Sequence, residues 1–129
     1  MAYDQDQHIG RSFSRRVKVI KVVDTEKIQR ITVSGLDGEE FELPLRGQPF
    51  GLTGVPPVGS VGYLYSANGR PDQGFLSDME HPDHRPRNRE DGETVVYGKA
   101  GQKIVLDKNG NVITTPGAGG IVHINPPSV

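Results

Sequence analysis

Beyond Gly92 the apolar residues come only in clusters of two or three: Val95-Val96-Tyr97, Ile104-Val105-Leu106, Val112-Ile113, and Ile121-Val122 with Ile124. From Val96 to Val105 is nine positions, from Val105 to Ile113 eight and from Ile113 to Val122 nine, with glycines falling between the clusters. Segments this short form strands, not helices, and each buries too little to be stable alone. A stack of them also leaves unpaired backbone edges. Interleaving with identical strands of other chains supplies both missing partners, so residues 92–129 are expected to form a multi-chain β-prism. The alternative is one more hairpin packed on the rest of the chain.

The upstream part reads as short strands. Residues 1–13 are polar and unpatterned and are expected to form a flexible arm. Arg16 to Val23 (RVKVIKVV) alternates as a strand, with Val17, Val19 and Lys21 on one side and Lys18, Ile20 and Val22 on the other. Gln29 to Ser34 alternates again, an Asp37-Gly38 turn follows, and Glu40 to Leu45 carries Phe41, Leu43 and Leu45 against Glu42 and Pro44. Pro44 cannot donate to a ladder, which marks this strand as an edge or a bulge. Ser60 to Tyr65 places Val61, Tyr63 and Tyr65 on one face, and Ala67-Asn68-Gly69 turns the chain toward Gly74-Phe75-Leu76-Ser77. Between them GQPFGLTGVPPVG is a loop whose Phe50, Leu52 and Val55 are expected to lie across a barrel mouth or a subunit contact. Five short strands over residues 14–78 fit a small barrel or half a sandwich. Residues 79–91 continue a stretch, Asp78 to Asp91, with eight charges in fourteen positions, and are expected to form a charged linker.

Several function classes recede on composition. The formal charge of -1 gives no broad positive field for phosphates, and the absence of cysteine removes disulfides, thiolate nucleophiles and cysteine zinc sites. No run approaches the roughly 20 apolar residues of a membrane span, and the first sixteen residues lack a signal-peptide pattern, so a cytoplasmic or particle-bound protein is expected. No Gly-x-Ser-x-Gly elbow, Walker loop or His-Glu-x-x-His motif is present, and no enzyme activity is expected. Glu40 and Glu42 share a strand face, but alternation with Phe41 makes it the solvated side. His81 and His84 are three apart, and Pro82 between them argues against a helix that pairs them. Arg11, Arg15, Arg16, Lys18 and Lys21 make a local basic patch, whereas Phe41, Tyr63, Tyr65 and Phe75 are expected mostly in the core, so nucleic acid is not an expected partner.

Two stretches carry a resemblance. The first is Phe50-Gly-Leu-Thr-Gly-Val-Pro-Pro-Val-Gly-Ser60, followed by Val61 to Tyr65, Asn68-Gly-Arg70 and Gly74-Phe75. The second is Gly92-Glu-Thr-Val-Val-Tyr97 followed by Gly101-Gln-Lys-Ile-Val-Leu106. In order and spacing they resemble the Mu-like phage baseplate assembly family, the small central spikes of contractile tails. The resemblance implies an all-β homotrimer with an N-terminal OB-fold barrel and a short C-terminal intertwined trimeric β-helix. Gly54, Pro56, Pro57, Gly59 and Gly69 would be its structural turns, and Val96, Ile104, Leu106, Ile113 and Ile124 its stem core.

The same resemblance implies baseplate hub and tail tube proteins as partners, a tip pressed against the host outer membrane, room for a separate tip protein, and a place in the virion at the baseplate tip, phage- or prophage-encoded. Family members with a His-x-His pair near the tip hold an axial iron ion; here the matching stretch is Val122-His123-Ile124-Asn125. No cofactor is therefore expected. The competing reading sets three copies of His123 around Fe or Zn, a site that needs three further ligands for octahedral geometry. Two other functions stay open, a carbohydrate- or nucleic-acid-binding module and a hub adaptor that joins components without piercing.

Overall fold

The computed structural model describes residues 13–35, 38–43, 46–66 and 74–125. Residues 1–12 of the expected arm, most of the Asp37 turn, Pro44, the Gly69 turn and the terminal Pro126-Pro127 lie outside these residues, while Phe13, the arm's last residue, begins the first strand. The chain divides into two units, Met1–Pro82 and Asp83–Val129.

The first unit is one antiparallel sheet of β1 (Phe13–Val23), β2 (Arg30–Ser34), β3 (Glu40–Leu43), β4 (Val61–Ser66) and β5 (Phe75–Glu80), in the order β3-β2-β1-β4-β5. β1 serves two partners in succession: Phe13 to Lys18 pair with β4, and Lys18 to Val23 pair with β2. The register with β2 shifts between Val19 and Lys21. This bulge leaves Ile20 outside the ladder and reverses the alternation after it, so Val17 and Val19 point inward, Val22 packs on the core, and Lys21 stays exposed. The strict alternation expected across the segment, which put Lys21 beside the valines, fails for that reason.

The core consists of Val17, Val19, Ile31, Val33, Leu64 and Leu76, with Val22, Phe41 and Met79 packed against it. The inward residues of β4 are Gly62, Leu64 and Ser66. Tyr63, Tyr65 and Phe75, expected in the core, are instead 40%, 36% and 45% exposed on the outer face. Gly62 explains the choice: a Cβ there would sit 2.7 Å from Met79 Sδ and 2.9 Å from the Ser77 carbonyl oxygen. The inner side at that position has room for backbone only.

The closed OB-fold barrel implied by the resemblance is not formed. β3 and β5 are the outer strands of an open sheet, and across that side there is a single parallel bridge, Arg46 to Leu76, with Gly47 N–H donating to the Leu76 carbonyl at 2.9 Å. Past Gly47 the chain turns through Pro49 and Gly51, so no ladder continues from that bridge.

The second unit holds β6 (Thr94–Tyr97), β7 (Lys103–Leu106) and β8 (Val112–Thr115), an open antiparallel sheet in the order β6-β7-β8. This corrects the intertwined trimeric β-helix. The first three apolar clusters pair with one another inside one chain, because tight turns join them. At the first turn Gly98 N–H donates to the Gln102 carbonyl, 2.9 Å away. At the second, Asp107 Oδ1 accepts the backbone N–H groups of Asn109 and Asn111 at 2.9 and 2.8 Å, and Oδ2 accepts Asn111 Nδ2 at 2.8 Å. The fourth cluster, Ile121 to Ile124, forms no strand.

Leu64→Ala should cost about 2–5 kcal/mol in denaturant unfolding, as for other fully buried leucines, whereas Ile20→Ser at the bulge should cost less than about 1 kcal/mol. The Asp107 carboxyl is held below its ordinary value, first by the Asn111 side-chain amide and then by the Asn111 backbone N–H. A depressed folded value means that the turn is fully stabilised above the ordinary aspartate range of about 4 and loosens only as pH falls through the lower folded value. The amide shifts of Asn109 and Asn111 should hold steady to about pH 4 and move below it, and Asp107→Ala should displace them at every pH.

Candidate functional site

A three-stranded sheet ordinarily hides one face. The register here puts Val96, Ile104 and Thr114 in one row and Thr94, Leu106 and Val112 in the next on one face; Val95, Val105 and Ile113 form a row on the other. Both faces are therefore apolar. Of all these side chains only Val105, at 6% exposure, is buried, while Val96, Ile104, Leu106, Val112 and Ile113 are exposed.

The expected stem core is thus partly brought together. Val96, Ile104 and Leu106 share a face, Ile113 lies on the opposite one, and Ile124 stands outside the sheet at 82% exposure. Val112 completes the row beside Leu106 and was not singled out from the sequence, although its place at the start of a Val-Ile pair carries the signal. After β8 the chain folds back: a Cβ on Gly117 would lie 2.6 Å from the Ala100 carbonyl oxygen, and Gly120 N–H donates to the Gly117 carbonyl at 2.9 Å. Ile121 and Val122 then join Val96, Tyr97, Ile104 and Pro116 around a shallow groove of about 420 Å³. His123 is exposed in a segment without regular structure, and among the described residues no group of three or more His, Cys, Asp or Glu side chains is placed to hold a metal.

The loop before β4 forms a second feature. Arg46 Nη1 and Gln29 Nε2 both donate to the Gly54 carbonyl, at 2.6 and 3.0 Å, and Gly54 N–H donates to Gln48 Oε1 at 2.9 Å. Gln29 is buried and also donates to Asp24 Oδ1 at 2.9 Å. Burial holds the Arg46 guanidinium below its ordinary value. Neither Gln29 nor Arg46 was legible as functional, since each lies in a strand or loop pattern without a motif. Around the clamp, Pro56 is buried, the Pro57 carbonyl accepts the Ser60 N–H at 2.9 Å, and Gly59 adopts a φ of 95° that places its N–H 2.9 Å from the Val19 carbonyl. The apolar side chains of Phe50, Leu52, Val55 and Val58 in the same loop are exposed. A rigid base with an apolar rim is suited to docking on a partner.

The remaining charged candidates are spread over the surface. Glu42 Oε1 accepts Arg30 Nη2 at 2.9 Å, Glu40 is exposed, and Arg15 Nη1 lies 3.6 Å from Glu39 Oε1, while Arg16, Lys18 and Lys21 are exposed. Glu40 and Glu42 lie exposed on β3, with Glu42 engaged by Arg30, so these two form no enclosed carboxylate pair of the glycosidase kind.

Comparison with known proteins identifies the chain's family. The sequence model described as Bacteriophage Mu Gp45, N-terminal, matches residues 16–83, just over half of the chain. The baseplate puncturing device gp45 of Escherichia phage Mu is 34% identical over 98 residues, which is 75% of this chain and 50% of that relative. The match thus spans about half the length of the relative. As the resemblance of its loop and stem segments implied, the chain belongs to the Mu-like phage baseplate puncturing device (gp45) family.

Proposed function

We propose that this protein is a non-enzymatic structural part of a contractile phage tail baseplate, and that three copies form a central spike driven into the host cell envelope when the sheath contracts. The observation that carries the reading is the C-terminal sheet with apolar rows on both faces and one buried side chain. These side chains are about half exposed, so burying the rest of each contributes about half of the roughly 1.5–3 kcal/mol of a full burial, and packing such sheets against one another around a common axis stabilises the assembly where a single sheet has little to hold it. A spike transmits force by stiffness, and shared burial supplies it without any catalytic group. The similarity to a puncturing device supports the piercing role. In the virion the protein would sit at the baseplate tip, with hub and tube proteins on one side and the host outer membrane on the other. Among the described residues no helix is long and apolar enough to cross a membrane.

A second reading, an adaptor that joins baseplate components without entering the envelope, is favoured by the clamped loop with Phe50 at its rim. The two readings share the trimer and differ in which surface matters most.

Sedimentation of the full chain at about micromolar concentration should give a trimer, and a stable folded monomer there would overturn the assembly. Ile104→Asp or Leu106→Asp, which places a charge in an apolar contact, should convert the trimer to monomer while the first unit keeps its spectrum. Phe50→Ala should leave the trimer intact and weaken capture by purified baseplate hub protein about tenfold or more, the loss typical of an aromatic hot spot. Unchanged capture would remove the loop from the hub contact.

A further inference from the structure

The outer face of the N-terminal sheet carries three aromatic rings in a continuous strip. Tyr63 and Tyr65 are two apart on β4, with ring centroids 6.3 Å apart, and Tyr65 stacks on Phe75 of β5 at 5.3 Å and 27°. The register sets Arg16 of β1 directly beside Tyr63, and Ser14 beside Tyr65. Exposing three adjacent aromatics to water carries a cost that the fold alone does not require, since the inner face is already filled.

At one end of the strip the sheet is modified. The β4–β5 register shifts between Val61 and Tyr63, and at this bulge Asp78 adopts a φ of 59°, a left-handed conformation that residues other than glycine rarely hold. Such backbone is concentrated at ligand clamps and active sites. Here it turns the Asp78 side chain to the rim of a hollow of about 110 Å³, lined also by Arg16, Tyr63 and Glu80. The Ser77 hydroxyl donates to Asp78 Oδ2 at 3.1 Å, which holds the carboxylate in place. An aromatic strip thus ends in a guanidinium and two carboxylates, planar groups that between them donate and accept hydrogen bonds.

We infer that this face is a glycan-binding site for a neutral oligosaccharide, with pyranose rings lying on Tyr63, Tyr65 and Phe75 and hydroxyls held by Arg16, Asp78 and Glu80. A pyranose has an apolar face of C–H bonds, which the electron-rich face of an aromatic ring accepts, and a rim of hydroxyls that need both donors and acceptors. The hollow is large enough to take a hydroxymethyl or acetamido substituent of a sugar whose ring lies on the aromatic strip. Charge decides against a polyanion. Arg16 and Lys18 are offset at the same strands by Asp78 and Glu80, so a nucleic acid phosphate would meet two carboxylates as well as two cations. The residues all come from β1, β4 and β5 of one chain, so no partner chain is needed to complete the site.

The test is titration of the full chain with cellohexaose, chitohexaose and maltohexaose, read by calorimetry and by the Tyr ring and Asp78 amide resonances. At least one should bind saturably with a Kd of about 1 mM or below, and its binding should move those resonances. Tyr65→Ala should weaken that binding about tenfold. Asp78→Asn, which tolerates the same left-handed backbone, should weaken it about fivefold with the rest of the amide spectrum unchanged. The inference is overturned if none of the three binds up to about 10 mM. It is equally overturned if oligo-dT binds more tightly with strong salt dependence, or if Tyr65→Ala breaks up the oligomer while sugar binding stays the same.

Discussion

β1 is the strand on which the N-terminal unit depends. It is the only described strand hydrogen-bonded to two partners along successive halves, with Lys18 pairing to Ser34 on one side and to Val61 on the other. Two hairpin-like arms, β2-β3 and β4-β5, meet through it, and four of the six core residues on those arms, Ile31, Val33, Leu64 and Leu76, have Val17 and Val19 between them. The bulge at Ile20 lets one strand do both jobs, because it re-aims the inward side chains where β1 passes from one partner to the other. The N-terminal core is small, but it is complete within one chain.

The C-terminal unit is built on the opposite balance. Its backbone bonding is satisfied locally, through a meander with tight turns, while its side-chain burial is not. The Asp107 carboxylate and the Gly98 turn set the register of the strands, so the pattern of apolar rows is preorganised before any partner arrives. In the proposed assembly a sheet of this kind would lose little conformational entropy and would gain most of its apolar burial there. The Lys108–Glu90 ion pair at 2.8 Å is exposed and contributes little by comparison, about 0–1 kcal/mol.

Much of this was legible in the residues. The nine- and eight-residue intervals between the first three clusters located β6, β7 and β8, and alternation located the upstream strands, because both signals are local. What was not legible depends on contacts between distant segments. Alternation shows that Tyr63 and Leu64 lie on opposite faces but not which face is inner; that is decided by Met79 and Ser77 pressing on Gly62. Strand periodicity likewise cannot reveal that the bulge at Ile20 turns Val22 inward in place of Lys21. Closure of the barrel was inferred from resemblance and failed where the loop after Gly47 departs from β5. The fourth apolar cluster followed the spacing but not the structure, since Pro116 and three glycines precede it and the chain folds back instead of extending. Of the candidate site, the apolar row was visible and the Gln29–Arg46 clamp was not, because it joins residues far apart in the chain through a backbone carbonyl.

That clamp has a consequence for how the loop tolerates change over evolution. Arg46 and Gln29 grip the main-chain oxygen of residue 54, not a side chain, and a Cβ at Gly54 would meet no atom within 4 Å. Point substitutions at position 54 leave the grip intact, whereas inserting or deleting a residue between Arg46 and Gly54 moves the carbonyl out of reach. The length of this segment is therefore under a tighter geometric constraint than the identity of residue 54, and relatives that use the same clamp are expected to keep the loop's length even where its letters have drifted.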